Sequence, residues 1–308
     1  MLSNPEFLAE GSAIKDLEKP YRVLIGGEDK ESINEIASIY KEWVPEDKII
    51  KTNLWSSELS KLAANAFLAQ RVSSINSISA ICEKTGADIN EVAKAIGSDE
   101  RIGSEFINPG PGFGGSCFKK DILSLIYLCN FYRLDEVAKY WENVININNW
   151  QQERISNLII EKLFGTLVGK KIAIFGFAFK ANTNDTRESP AINIAKDLLL
   201  EGANLSIYDP KVIKERINSE LGNCIPDFFS SRENYSCWKA SNVEEAVKDS
   251  DAIIILTEWE EFKKLDWEKL FYLMRKPGWI FDTRNVLKNK SFNFPGINFW
   301  TIGKDFES

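Results

Sequence analysis

The chain has 308 residues, 44% hydrophobic and 27% charged, which is an ordinary globular mix and enough length for two domains. Its formal net charge of −7 argues against nucleic acid or an anionic membrane as the main partner. The complete absence of histidine excludes Ser-His-Asp and Cys-His relays and imidazole-ligated zinc, and no metal is expected.

The longest aliphatic run, AIIIL at 252–256, is too short to span a bilayer. The start, MLSNPEFLAEG, has neither a basic nor an apolar signal region. Five cysteines (82, 117, 129, 224 and 237) form no CxxC pair, which points to free thiols in a reducing, cytoplasmic compartment.

In chain order, RVLIGG (22–27), ESINEIASIYKEW (31–43) and KIIKT (48–52) read as strand, helix and strand. This βαβ piece has too little core to stand alone and looks like the end of a sheet domain. From 53 to 86 the pattern is helical, with Leu59, Leu62, Ala63, Ala66 and Phe67 as an apolar stripe. A second helix covers 88–97 with Asp88 as its N-cap. NPGPGFGGS (108–116) is a turn-rich loop, and helices resume at 118 and run to about 164.

Strands are expected at 170–179, 204–210, 251–259 and 279–284, with helices at 189–202, 242–249 and 267–276. The first of these helices carries Ser189 at the N-cap and Pro190 at N1. The polar stretch 211–241 reads as a loop excursion. The alternation predicts a parallel, doubly wound sheet. The fold class is therefore α/β, divided as 1–52 (the remnant of a Rossmann domain), 53–164 (a helical middle domain) and 165–308 (a Rossmann-like domain).

Cys117 follows three glycines and a serine in GFGGSCFKKD (112–121). A free cysteine is more often an inert buried residue. Here the glycines allow close backbone approach, a helix N-terminus favours a thiolate, and Lys119 and Lys120 add positive charge. A nucleophilic thiolate is the favoured reading, while Cys82 and Cys129 lie in apolar helical surroundings.

Lys61 and Asn65 share a helix face, either as a solvated face with Glu58 paired to Lys61 or as donors that steady an oxyanion. Asp121 either orients a water or pairs with a lysine. IFGFAFKANTNDTRES (174–189) stands where a phosphate turn would, but has only Gly176 in place of G-x-G-x-x-G. Lys180 and Arg187 instead offer side-chain charge for phosphate, or form ordinary surface ion pairs. Arg101 and Arg284 share that ambiguity.

Together, LSNPEFLAEGSAIKDL (2–17), NLWSSELSKLAANAFLAQRVSSINSISA (53–80), GFGGSCFKKD, GFAFKANTNDTRES (176–189), YDPKV (208–212), TEW (257–259) and FDTRNVL (281–287) resemble the UDP-glucose 6-dehydrogenase family, within the UDP-glucose/GDP-mannose dehydrogenases. The resemblance implies oxidation of the C6 hydroxymethyl of UDP-glucose to a carboxylate with two NAD. The cysteine holds the aldehyde as a thiohemiacetal and then a thioester.

On that resemblance Cys117 is the nucleophile, Lys61 and Asn65 steady the oxyanion, Asp121 assists water, and Glu6 is an acid/base carboxylate. Phe7, Leu8, Glu10, Asn108, Gly112, Phe113, Gly114, Phe179, Lys180 and Arg284 would hold UDP-glucose, and Glu10, Cys117 and Arg187 would touch NAD. Arg101 would reach a sugar nucleotide in a neighbouring subunit, which implies a homodimer or a multiple of dimers, with the middle domain as the dimerisation domain. The chain looks like a member lacking most of its N-terminal NAD-binding domain, so the isolated chain is expected to be inactive. GDP-mannose or UDP-N-acetylmannosamine dehydrogenase chemistry, or a non-catalytic UDP-sugar-binding or dimerisation module, are the alternatives.

Overall fold

The computed structural model describes residues 1–222, 236–287 and 294–304. Cys224 and residues 223–235 of the expected loop excursion lie outside the described residues. The chain packs as two compact units, one of residues 1–68 with 120–142 and the other of residues 69–119 with 143–308.

The first unit holds a three-stranded sheet. β1 (Leu2–Ser3) pairs antiparallel with β2 (Val23–Gly27), which pairs parallel with β3 (Ile49–Thr52) in the register Val23↔Ile49. All five residues of β2 are buried, as a strand covered on both faces requires. α1 (Ala13–Glu18) precedes β2, and α2 (Lys30–Tyr40) covers the sheet with Ile33 and Ala37. The Asp29 carboxylate caps α2 by accepting the N–H groups of Glu31 and Ser32. Neither β1 nor α1 is signalled by the sequence, because one is two residues long and the other six, with no buried residue.

α3 (Leu54–Thr85) has 32 residues and is about 48 Å long at 1.5 Å per residue. Its expected apolar stripe is corrected: Leu59 and Phe67 are exposed, and the buried line runs through Asn65, Ala66 and Ala69. α5 (Phe118–Phe131) and α6 (Asp135–Lys162) are the remaining long helices.

The second unit contains α4 (Ile89–Gly97), capped by Asp88, and a six-stranded parallel sheet. The strands are β4 (Lys171–Phe175), β5 (Asn204–Tyr208), β6 (Cys237–Lys239), β7 (Ala252–Ile255), β8 (Gly278–Asp282) and β9 (Ile297–Thr301). They lie in the order β6-β5-β4-β7-β8-β9, and the strand order reverses between β4 and β7. In open α/β sheets such a switch point opens a crevice at the carboxyl ends of the strands.

Ile172 to Phe175 and Ala252 to Ile255 are fully buried, so both faces of the central strands are covered. α7 (Pro190–Leu200) covers β4 and β5 and starts at the Ser189 cap. The reading of 211–241 as a loop needs correction, since α8 (Lys214–Leu221) and the edge strand β6 lie within it. The second edge strand, β9, also lacks a sequence signal.

The end of β9 is tied to α3, α4 and α6. Gly303 donates its N–H to Glu83 Oε1 at 2.9 Å, and Ile89 donates its N–H to Gly303 O at 3.0 Å. Arg154 meets the other oxygen of Glu83 at 2.5 Å.

Candidate active site

In the second unit, the loop 108–116 delivers Cys117 in the turn directly before α5. Buried amide side chains hold its backbone. Gly110 donates its N–H to Asn76 Oδ1 at 2.9 Å, and Gln151 Nε2 donates to Gly110 O at 2.9 Å. Asn148 accepts the N–H of Phe113 at 2.7 Å and donates to its carbonyl at 3.2 Å.

These partners replace the water that a surface loop would use, so the loop is anchored while buried. Gly112 has φ 134°, and a Cβ there would lie 2.7 Å from Asn148 Oδ1. A Cβ on Gly114 would lie 2.6 Å from Glu188 O and 2.9 Å from Phe179 Cβ. The glycines therefore let the loop press onto α6 and onto the 179–190 segment.

Cys117 is exposed, with Ser116 Oγ 3.6 Å from its sulfur. Lys119 is ion-paired with Glu188 at 2.8 Å, so its charge is shared rather than committed to the thiol. Cys82 and Cys129 are buried, and burial pushes both thiols up. Burial pushes Cys237 up to about 12.

The crevice side of the sheet brings Arg284 and Phe179 to the same loop. Arg284 Nε donates to Leu256 O at 2.9 Å, and its Nη2 donates to Phe179 O at 3.4 Å. A Cβ on Gly110 would lie 3.0 Å from Arg284 Nη1. Glu258 Oε2 is 3.2 Å from Arg284 Nε, but that hydrogen points to Leu256, so Glu258 acts as a nearby charge rather than an acceptor.

Asp282 is buried and sets the Arg284 turn by accepting the N–H groups of Arg284, Val286 and Leu287; desolvation holds its pKa above the usual carboxylate value. Lys180 Nζ lies 5.5 Å from the Phe179 ring centroid. Arg187 pairs with Asp185 at 2.7 Å, and Arg101 pairs with Asp99 at 2.6 Å on an exposed turn.

The first unit holds the other predicted residues. Lys61 Nζ donates to Glu6 O at 2.6 Å and lies 3.3 Å from Glu6 Oε1. The second carboxylate oxygen of Glu6 accepts the N–H of Leu8 at 2.7 Å. Lys61 thus pairs with Glu6 rather than Glu58. The Phe7 ring lies under Arg22, whose guanidinium carbon is 3.9 Å from the ring centroid. Asn65 donates to Asp121 at 2.5 Å, with both side chains buried, so Asp121 pairs with an amide and not with a lysine. Glu10 and Asn108 are exposed.

Several supporting residues escaped the sequence reading: Asn76, Asn148, Gln151, Arg22 and Asp209. The spacing of Asn148, Gln151 and Gln152 on one face of α6 is the signal that would have found the amide group. The spacing G-x-G-x-x-G does occur, at Gly110, Gly112 and Gly115, but no strand precedes it, so it is not a dinucleotide turn. Among the described residues no group of Cys, Asp and Glu is placed to hold a metal, and no helix is long and apolar enough to cross a membrane.

Three segments match the UDP-glucose/GDP-mannose dehydrogenase family: its NAD binding domain over residues 1–44, its central domain over 55–150 and its UDP binding domain over 173–289. The chain is 50% identical to UDP-glucose 6-dehydrogenase 5 of Oryza sativa subsp. japonica, covering 100% of this chain and 67% of the relative. It is 53% identical to UDP-glucose 6-dehydrogenase of Gallus gallus, covering 99% and 63%. The structure of a UDP-glucose dehydrogenase from the archaeon Pyrobaculum islandicum superposes with a TM-score of 0.83 at 30% identity, covering 99% of this chain and 63% of that one. The chain thus spans about two thirds of the length of these relatives, and NAD is the cofactor that the first matched domain serves. On these matches, the protein belongs to the UDP-glucose/GDP-mannose dehydrogenase family.

Proposed function

We propose that the protein works in the oxidation of UDP-glucose to UDP-glucuronate through a covalent intermediate on Cys117. The observation that carries this reading is the contrast among the thiols. Cys117 alone of the four described cysteines is exposed, on a loop whose backbone is fixed by buried amides. The chemistry the cofactor would supply is hydride acceptance, one hydride from C6 to each of two NAD molecules bound in turn.

This chain's own groups do the rest. The Cys117 sulfur adds to the C6 aldehyde, and water later cleaves the thioester. Lys61 and Asn65 donate to the oxyanion that each addition creates, Glu6 exchanges protons with Lys61, and Asp121 orients Asn65 and the water. Phe179, Lys180 and Arg284, with the loop 108–114 and residues 6–10, hold the sugar nucleotide. Arg187 and Glu10 contact the cofactor. The regions 1–52, 53–164 and 165–308 divide cofactor, dimerisation and nucleotide work, and Arg101 serves a partner subunit in a cytoplasmic homodimer.

The described residues do not fit the cofactor's pyrophosphate. The N-terminus of α2, the one helix between parallel strands in the first sheet, is already filled by the Asp29 carboxylate. The turn after β4 is closed by side chains of its own unit, Thr257 against Gly176 among them. This favours a second reading for the 308-residue chain on its own, a sugar-nucleotide-binding module that turns over nothing.

Competition separates these readings from no function at all. UDP-glucose should slow alkylation of Cys117 and leave Cys82, Cys129 and Cys237 unaffected, as read by peptide mapping. Equal Cys117 labelling with and without UDP-glucose defeats both.

A further inference from the structure

The residue after β5 is Asp209, and its carboxylate is almost wholly buried, with 1% exposure. It accepts five N–H donors. Oδ2 takes the backbone N–H groups of Phe177 at 2.7 Å and Ala178 at 3.0 Å, and the Trp259 indole at 3.2 Å. Oδ1 takes Lys211 N–H at 2.8 Å and Val212 N–H at 2.9 Å. One side chain therefore joins the turns that follow β4, β5 and β7, the three neighbouring strands at the switch point.

In a dinucleotide-binding sheet of this strand order, the acid that follows the glycine turn in sequence binds the ribose of the ligand. Here the acid is turned inward and its acceptor positions are taken by protein N–H groups. It has little capacity left for a ligand hydroxyl.

The rest of the turn is pinned in the same way. Thr257 Oγ1 donates to Ala178 O at 2.6 Å. Phe179 donates its N–H to Asp185 O at 3.1 Å, and Phe179 O accepts from Arg284. The three N–H groups of 177–179 and the carbonyls of Ala178 and Phe179 are thus engaged, and the next residue is Lys180. Among the described residues, the ammonium of Lys180 meets only the Phe179 ring. It is a half-buried cation at the end of a rigid turn, with no carboxylate partner among the described residues.

We infer that Asp209 is a positioning residue. It converts the ribose-binding acid of a dinucleotide fold into an internal clamp that fixes the 177–179 turn, and so presents Lys180 to the diphosphate of a nucleotide. The clamp rests on the proposed binding of a uridine nucleotide by Lys180. Its role differs from Lys180's because Asp209 touches no ligand. Preorganisation of this kind raises affinity by removing the ordering cost at binding.

The test is a double-mutant cycle on the full chain, with UDP as the titrant in calorimetry. Asp209→Asn keeps the volume but replaces one acceptor oxygen with a donor, so two or more of the five bonds are lost. It should weaken UDP binding at least tenfold in the wild-type background and less than twofold in the Lys180→Ala background. Losses that multiply independently, or a Lys180→Ala protein that binds like wild type, overturn the inference while leaving UDP binding itself intact. No binding by wild type overturns the UDP reading and the clamp with it.

Hydrogen exchange on the unmutated chain gives a reading that does not depend on whether the variant folds. Without ligand, the amides of Phe177 and Ala178 should exchange as slowly as those of β4. Rapid exchange that slows only when UDP is added would show that the ligand, not Asp209, orders the turn.

Discussion

Replacing Asn148 by Ala tests whether buried amides hold the Cys117 loop. Asn148 is 5% exposed and makes two hydrogen bonds to one residue, accepting the N–H of Phe113 and donating to its carbonyl. Alanine leaves both backbone groups without a partner in a site where Phe113 is itself only 7% exposed. An unsatisfied buried polar group costs about 1–3 kcal/mol. Two of them give about 2–4 kcal/mol, taking the low half of the range because water can enter the space the amide vacates. Alanine returns about 0.5 kcal/mol through its higher helix propensity.

The net loss of about 1.5–3.5 kcal/mol corresponds to a fall in Tm of about 3–14 °C for a unit of this size. Asn146→Ala is the control, since Asn146 lies on the same helix, is exposed and bonds only Asn143 at 3.4 Å. Its stability should stay within about 0.5 kcal/mol of wild type. Thermal unfolding measured by circular dichroism gives both numbers. If Asn148→Ala unfolds within 2 °C of Asn146→Ala, by the rule of about 2–4 °C per kcal/mol, the amides do not anchor the loop.

Limited alkylation at pH 8 should label Cys117 first, because Cys82 and Cys129 are buried and Cys237 is pushed up to about 12; earlier labelling of any of these three contradicts the exposure argument. Gly176→Ala should yield little soluble protein, since its Cβ would lie 2.3 Å from Thr257 Cβ at φ 90°; recovery of wild-type solubility and Tm would show that the strand turn can relax. Glu83→Ala leaves the largely buried Arg154 with Gln151 as an acceptor but without its carboxylate and should cost about 2–4 kcal/mol, read by urea unfolding, with Glu83→Gln intermediate because it can still accept the Gly303 N–H. The 308-residue chain by itself should form no NADH from UDP-glucose, followed by absorbance; sustained formation would show that the pyrophosphate of NAD finds a place despite Asp29.

Periodicity was enough to find α3, α4, α5 and α6, the central strands β4, β5, β7 and β8, and the parallel class of the sheet. A strand buried on both faces, such as Ala252–Ile255, writes itself as a continuous apolar run, and a capped helix announces its start with Ser189 or Asp88. The placement of Cys117 in a glycine-rich turn directly before a helix was likewise legible, because such a turn constrains only its own neighbourhood. The edge strands β6 and β9 were not legible. β6 has three half-buried residues, and β9 becomes a strand only by pairing with β8, residue 278 against residue 297.

The partners of the candidate site also lay beyond the sequence. Glu6 finds Lys61 across 55 positions, Phe113 finds Asn148 across 35, and Phe177 finds Asp209 across 32. Local patterns record which face of an element is apolar, because each residue's burial follows the period of its own helix or strand. Which acceptor meets which donor is decided by how strands and helices are ordered in space. The β5-β4-β7 order is what places Asp209 beside the turns of two other strands.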